Sequence, residues 1–95
     1  MTASVGTLAD FLLARIAESE EYWRARRPRE IDRQSIDQVL TDCEAKRRIV
    51  DECRNLLIVD KVYPGEAGGE AASVILGHLA LPYADHPSYR DEWRP

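Results

Sequence analysis

Apolar residues recur every three or four positions in the first third of the chain, which is the spacing of one face of an α-helix. The residues with this spacing are Leu8, Phe11, Leu12, Ile16 and Trp23. Thr7 is a suitable N-cap, and Asp10 three positions later favours the positive end of the helix dipole. Pro28 disfavours helical backbone at Arg27. The pattern therefore predicts an amphipathic helix over residues 7–26.

The middle of the chain carries the clearest helical pattern. Ser35 and Gln38 have the spacing of a capping box. The apolar stripe that follows consists of Ile36, Val39, Leu40, Cys43, Val50, Cys53 and Leu57. This pattern predicts a helix over residues 35–58, about 36 Å long at 1.5 Å per residue. A Pro-Gly pair and a Gly-Gly pair then predict a loop over residues 59–69.

Two further helices are predicted after this loop. Residues 70–81 are apolar on nearly all sides, which predicts a helix that is buried on more than one side. Asp85 can cap a short helix over residues 86–93. In that helix Tyr89 and Trp93 would be neighbours on one face.

These elements predict an all-α fold: one domain over residues 1–95, built as a three-helix bundle with a short C-terminal helix or an aromatic tail docked on it. The first two helices are about twice as long as the third, so the third cannot cover the whole seam between them. The aromatic tail is expected to cover the remainder, and a second copy of the chain is the alternative.

Arg47 interrupts the apolar stripe of the second helix, and a charge in such a position needs a partner. We expect the C-terminal tail to supply it. Trp93 or Tyr89 would make a cation–π contact with the guanidinium, or an acidic neighbour, Asp91 or Glu92, would make a salt bridge.

Composition and charge exclude several classes of protein. The 95 residues carry 13 basic and 17 acidic side chains, a net charge of −4. This balance disfavours general nucleic-acid binding, because neutralising phosphates supplies most of that affinity. No apolar run approaches the roughly 18–20 residues of a membrane span, and the first residues lack the pattern of a secretory signal. We expect a cytoplasmic protein that does not bind membranes.

One basic segment departs from this acidic background. Residues 24–33 contain five arginines and two acids, a local charge of +3. The candidate polyanion-binding residues are Arg24, Arg26, Arg27 and Arg29. Trp23 beside them could stack on a base. The alternative is a solvated helix end, where basic side chains complement the helix dipole.

The residues able to bind a soft metal do not have the spacing of a site. They are Cys43, Cys53, His78 and His86, and their separations fit no compact zinc pattern. The two cysteines lie on the apolar stripe, about 15 Å apart along one helix axis, which predicts core residues and not a disulfide. No phosphate-binding loop and no catalytic constellation is recognisable. We expect no catalytic residue, no metal, no cofactor and no enzymatic activity.

Two segments resemble the signatures of a known family. The first is EAKRRIVD at residues 44–51, and the second is LALPYADHPSYRDEWRP at residues 79–95. They resemble a small uncharacterised family of actinobacteria and their phages, a domain of unknown function. The resemblance implies an actinobacterial or phage genome, a bacterial host cytoplasm and a role as a small accessory protein. It implies no activity.

The sequence favours a small non-catalytic protein that binds a host or cognate protein. Trp, Tyr and Arg dominate protein interfaces, and the tail is rich in them. The candidate partner-binding residues are Tyr83, His86, Tyr89, Arg90 and Trp93. The structural alternative is a tail that docks as a cap on the core. A homodimer is a second expected arrangement, and the alternative function is a nucleic-acid accessory factor that uses the basic segment.

Overall fold

The computed structural model describes residues 5–26, 33–65 and 68–95, and within them the protein is a three-helix bundle without strands. The helices are α1 (Val5–Arg26), α2 (Arg33–Val62) and α3 (Gly69–Ala80). Two short 3-10 helices follow, at Leu81–Tyr83 and Asp91–Trp93. The predicted all-α bundle with a short C-terminal element is confirmed.

α2 extends further than its predicted bounds, because residues 59–62, expected in the loop, are helical. The helical hydrogen bonding continues to Tyr63, whose amide donates to the Val59 carbonyl at 2.8 Å. The turn after the helix is then held by Asp60, whose side chain accepts a hydrogen bond from the Gly65 amide at 2.9 Å. The β-branched residues near the end of α2 therefore do not end the helix, and the Asp60 side chain stabilises the turn that follows it.

The three helices contribute equally to the centre of the core. Leu12 of α1, Val50 of α2 and Leu76 of α3 are the largest fully buried side chains. α1 and α2 are antiparallel, with Arg54 of α2 bonded to Asp10 of α1 at 2.5 Å. α3 returns antiparallel along α2, starting where Gly69 lies against the Asp60 side chain.

The helices differ greatly in length, as the sequence predicted. α2 is about 45 Å long, α1 about 33 Å and α3 about 18 Å at 1.5 Å per residue. α3 ends at the level of Ile16 and Lys46, so the last turns of α1 and the first turns of α2 extend beyond it as a two-helix hairpin. We call this part, residues 17–26 with residues 33–45, the distal hairpin.

The C-terminal tail does not form the predicted helix over residues 86–93. Its backbone makes successive three-residue turns, including hydrogen bonds from His86 to Tyr83 and from Tyr89 to His86, both 2.9 Å. Arg90 is then extended, at φ −111° and ψ 133°, which interrupts any helix between Tyr89 and Trp93. This interruption turns both aromatic rings toward the same partner, the Phe11 side chain of α1.

The tail packs against α1 and α3, so it does not cover the distal part of the α1–α2 seam as expected. Trp93 is only 8% exposed and belongs to the buried core. Its carbonyl oxygen lies 2.8 Å from where a Cβ at Gly77 would stand. Glycine in the middle of α3 therefore permits the tail backbone to approach the helix closely.

Candidate functional site

The predicted partner-binding residues of the tail are mostly turned inward. The rings of Tyr83, His86, Tyr89 and Trp93 all surround Phe11, with centroid separations of 5.1 to 6.2 Å. The Tyr89 hydroxyl is buried and has no hydrogen-bond partner among the described residues, so ring packing holds this side chain. Arg90 alone of the predicted set is well exposed, and it pairs with Glu92 at 3.5 Å. The structure therefore places this aromatic set as a cap on the core.

The arginine that meets the tail is Arg15, and the predicted contact of Arg47 with the tail is wrong. The Arg15 guanidinium lies 4.9 Å from the Phe11 ring centroid and 3.5 Å from Nδ1 of His86. Ser88 donates its amide to the same nitrogen at 3.0 Å. Arg47 is about two and a half helical turns from the level of Phe11, too far along the bundle to reach the tail.

Arg47 is instead bound by acids from two helices. Its guanidinium donates to Glu20 of α1, which is buried, and to Glu44 of α2 at 2.8 Å. The hydrogen bond to Glu20 raises the pKa of Arg47 above its usual value. Hydrogen bonds from Arg48 and Arg47 lower the pKa of Glu44. The arginine predicted to need a partner therefore joins α1 to α2 at the base of the distal hairpin.

The predicted polyanion-binding residues lie at the tip of the distal hairpin. Arg24 and Arg26 are exposed in the last turn of α1, and the Arg26 guanidinium lies 3.9 Å from the Tyr22 ring centroid. Arg27 and Arg29 lie outside the described residues. Trp23 is half-buried with its ring 5.1 Å from that of Tyr22, so the arginines do have aromatic neighbours.

Cys43 and Cys53 are both buried core residues, as predicted from their place on the apolar stripe. Burial, together with the negative charge of Glu52, raises the pKa of the Cys53 thiol. A raised thiol pKa leaves less of the reactive thiolate at a given pH. Among residues 5–26, 33–65 and 68–95 no three His, Cys, Asp or Glu side chains are grouped to hold a metal ion.

The raised thiol pKa predicts that alkylation of Cys53 starts at higher pH in the folded protein than in urea. A Cys43→Ala variant leaves Cys53 as the only cysteine, so mass spectrometry after iodoacetamide treatment reports on it alone. The unfolded thiol loses its proton near pH 8.5, which is a lower pH than the folded thiol requires. The free energy of unfolding should therefore fall as the pH rises above this value. Coincident alkylation profiles with and without urea would contradict the prediction.

A row of exposed apolar residues lies along the second half of α2 and its C-terminal turn. Ile49, Leu56, Val59 and Tyr63 are between 38% and 62% exposed. Their spacings of seven, three and four residues place them within one side of the helix, beside the buried face that contains Cys53. We call them the α2 apolar strip. The sequence signal was present, because Ile49 and Leu56 make the apolar pattern of α2 wider than one core face requires.

The neighbouring helix also carries an exposed apolar residue. Because α3 is antiparallel to α2 and begins beside Asp60, Ile75 lies at the level of the middle of the strip. Ile75 is itself exposed. Glu52, also exposed, lies on the same side of α2 as the strip. The second half of α2 thus presents exposed apolar residues with Glu52 among them, and α3 carries a further exposed apolar residue at the same level of the bundle.

A cavity of about 170 Å³ opens where α3 ends. All three helices and the first 3-10 helix contribute to it, and the lining residues are Leu12, Ile16, Lys46, Val50, His78, Leu79, Pro82 and Tyr83. Sequence reasoning missed this cavity, because its walls come from four segments that only the packing of α3 brings together.

The fold and these surfaces define a small helical domain with an apolar strip, a docked aromatic cap and a cavity at one end of its short helix. The chain belongs to the Family of unknown function (DUF6221), which it matches over residues 5–95. The expected membership in an uncharacterised family is thereby confirmed. No curated protein and no solved structure matches the chain. Over the part of the chain that the structure describes, no helix has the length and apolarity of a membrane span.

Proposed function

We propose that this protein is a non-catalytic accessory protein that binds an amphipathic helix of another protein along the α2 apolar strip. The observation that supports the proposal is the exposure of four apolar side chains with the spacing of a coiled-coil seam. A partner helix packs against such a seam through its own apolar residues, which are spaced three, four and seven positions apart.

The charges near the strip suggest what the partner helix carries. Glu52 lies among the strip residues, so a lysine or arginine of the partner would face it. Ile75 of α3 provides a second wall against which the partner helix would pack. The partner is therefore an apolar-faced helix with a basic residue near its middle. The resemblance noted above implies a bacterial host, so we propose a host protein as its source.

The matched pair of variants that tests this proposal is Leu56→Glu and Ile58→Glu. Both replace an exposed apolar residue near the end of α2 by the same acid, but about 200° of helix rotation separates the two positions. Tagged wild-type protein and both variants are used to capture partners from an actinobacterial lysate, with and without nuclease. The affinity of the captured protein, purified, is then measured for all three chains.

The proposal expects Leu56→Glu to weaken binding of the purified partner at least about tenfold, the cost of an unpaired charge at a seam. Ile58→Glu should bind as the wild type does. Equal binding by all three chains would overturn it. Sedimentation equilibrium of the wild type tests whether the chain forms a homodimer. A dimer that Leu56→Glu converts to a monomer would show that the strip binds a second copy of the chain and not the helix of another protein.

The second candidate function is nucleic-acid binding by the tip of the distal hairpin. The observation that favours it is the exposed Arg26 stacked on the exposed Tyr22 ring beside Arg24, since arginine and aromatic side chains together bind single strands. Capture that disappears with nuclease and survives Leu56→Glu would favour this function over the first.

A further inference from the structure

We infer that the cavity at the end of α3 is a binding site for a small carboxylate with a compact apolar body, such as a benzoate-sized acid. The inference is independent of the α2 apolar strip. It depends on the size of the cavity, on the separation of its apolar floor from its polar rim, and on a cation at that rim which forms no ion pair with the described residues.

The volume of the cavity suits a single ring. At about 170 Å³ it is slightly larger than an engineered cavity of about 150 Å³, lined by aliphatic and aromatic side chains, that binds benzene. A long chain or a nucleotide would not fit in such a volume. The cavity opens to the surface at one side, so a ligand can enter it without unfolding of the bundle.

The floor and walls of the cavity are apolar. The floor consists of buried core residues from the two long helices. They are Leu12 and Ile16 of α1 and Val50 of α2. Leu79 and Tyr83 are half-buried and form the walls. Water in such a space would find few hydrogen-bond partners, so an apolar group displaces it at little cost.

The rim of the cavity is polar and basic. Lys46 and His78 lie there, both exposed. Asp42, one helical turn before Lys46 on α2, accepts a hydrogen bond from Gln38 at 3.1 Å. Glu44 is bound by Arg47 and Arg48, and Lys46 forms no ion pair with any of the described residues. A carboxylate on the bound ring would therefore meet an ammonium group that the described part of the chain leaves without a counter-charge, and His78 offers a second nitrogen for a hydrogen bond.

The test is an NMR titration of the full chain with benzoate, and with benzyl alcohol and benzylamine as neutral and cationic analogues. Methyl resonances of Leu12, Val50 and Leu79 report on the cavity. We expect benzoate to shift these methyl resonances with a Kd of about 1 mM. Benzyl alcohol should bind more weakly, and benzylamine should bind most weakly. Nuclear Overhauser contacts from the ring protons to these methyl groups would place the ring in the cavity.

The two lysines of the chain, Lys46 and Lys61, provide a matched pair of variants. Both are exposed on α2, so neither substitution threatens the fold. Lys46→Met should weaken benzoate binding about tenfold, because a charged hydrogen bond is lost, and should leave binding of benzyl alcohol unchanged. Lys61→Met should leave both affinities unchanged.

Three results would overturn the inference. The first is an absence of benzoate-induced shifts at the cavity methyl groups. The second is equal weakening by Lys46→Met and Lys61→Met, which would indicate attraction of any anion to any lysine. The third is a set of shifts confined to Arg24 and Arg26 at the far tip. The Leu56→Glu variant should bind benzoate normally, so failure of the protein-binding proposal would not affect this result.

Discussion

Replacing Trp93 by alanine should lower the free energy of unfolding by about 3–5 kcal/mol, the usual cost of removing a large buried aromatic side chain. Trp93 is 8% exposed, and its ring packs against Phe11 at 5.1 Å and against Tyr89 at 5.6 Å. The loss corresponds to a fall of about 15–30 °C in melting temperature for a domain of this size. Urea denaturation followed by far-ultraviolet circular dichroism measures it.

The other tryptophan of the chain supplies the control. Trp23 is half-buried near the end of α1, beyond the reach of α3. Trp23→Ala should therefore cost less than Trp93→Ala, because Trp23 is less completely buried than Trp93. If both substitutions cost the same small amount, the tail would not be docked in solution and its aromatic residues would again be candidates for binding a partner.

Replacing Arg47 by alanine should lower the free energy of unfolding by about 2–4 kcal/mol. Glu20 is 5% exposed, so loss of Arg47 leaves a buried carboxylate without its counter-charge. We expect a smaller loss than for a fully buried ion pair, because the Arg47 side chain is 31% exposed and water can partly replace its guanidinium. Thermal or urea denaturation of the purified variant measures the loss.

Arg48→Ala is the matched control for this prediction. Arg48 is the adjacent residue and also pairs with Glu44, but its side chain is 77% exposed. Such surface pairs contribute about 0–1 kcal/mol, so the variant should be close to the wild type. A double variant, Glu20→Leu with Arg47→Leu, should recover most of the loss, since an apolar pair needs no counter-charge. Equal losses for Arg47→Ala and Arg48→Ala would contradict the role assigned to Glu20.

The helices and most of the core were predictable because they depend on local spacing. Apolar residues three and four positions apart select one face of a helix wherever it packs, and the buried residues Leu12, Cys43 and Val50 all lie on the predicted faces. The end of α2 was less predictable. The Asp60 side chain bonds the Gly65 amide, and a side-chain contact beyond the helix has no periodic signal.

The partner of Arg47 was not predictable from the sequence in the same way. The apolar stripe showed that a buried charge needed an acid, but the chain contains 17 acids, and its order does not indicate which one faces position 47. Antiparallel packing of α1 on α2 brings Glu20 there. The tail contacts Arg15 for the same reason, since the path of the tail across α1 is set by the end of α3.

The sequence by itself determined that this protein is an all-α bundle with long first and second helices, buried cysteines and an aromatic C-terminal segment. Each of these features follows from side chains within a few residues of one another. Only the tertiary structure decided that the tail caps Phe11, that Glu20 neutralises Arg47, and that Lys46 lines a cavity together with the apolar side chains of three helices. Each of these arrangements brings together side chains that are between 27 and 82 positions apart in the sequence. Their geometry depends on how the helices align when the apolar faces are buried.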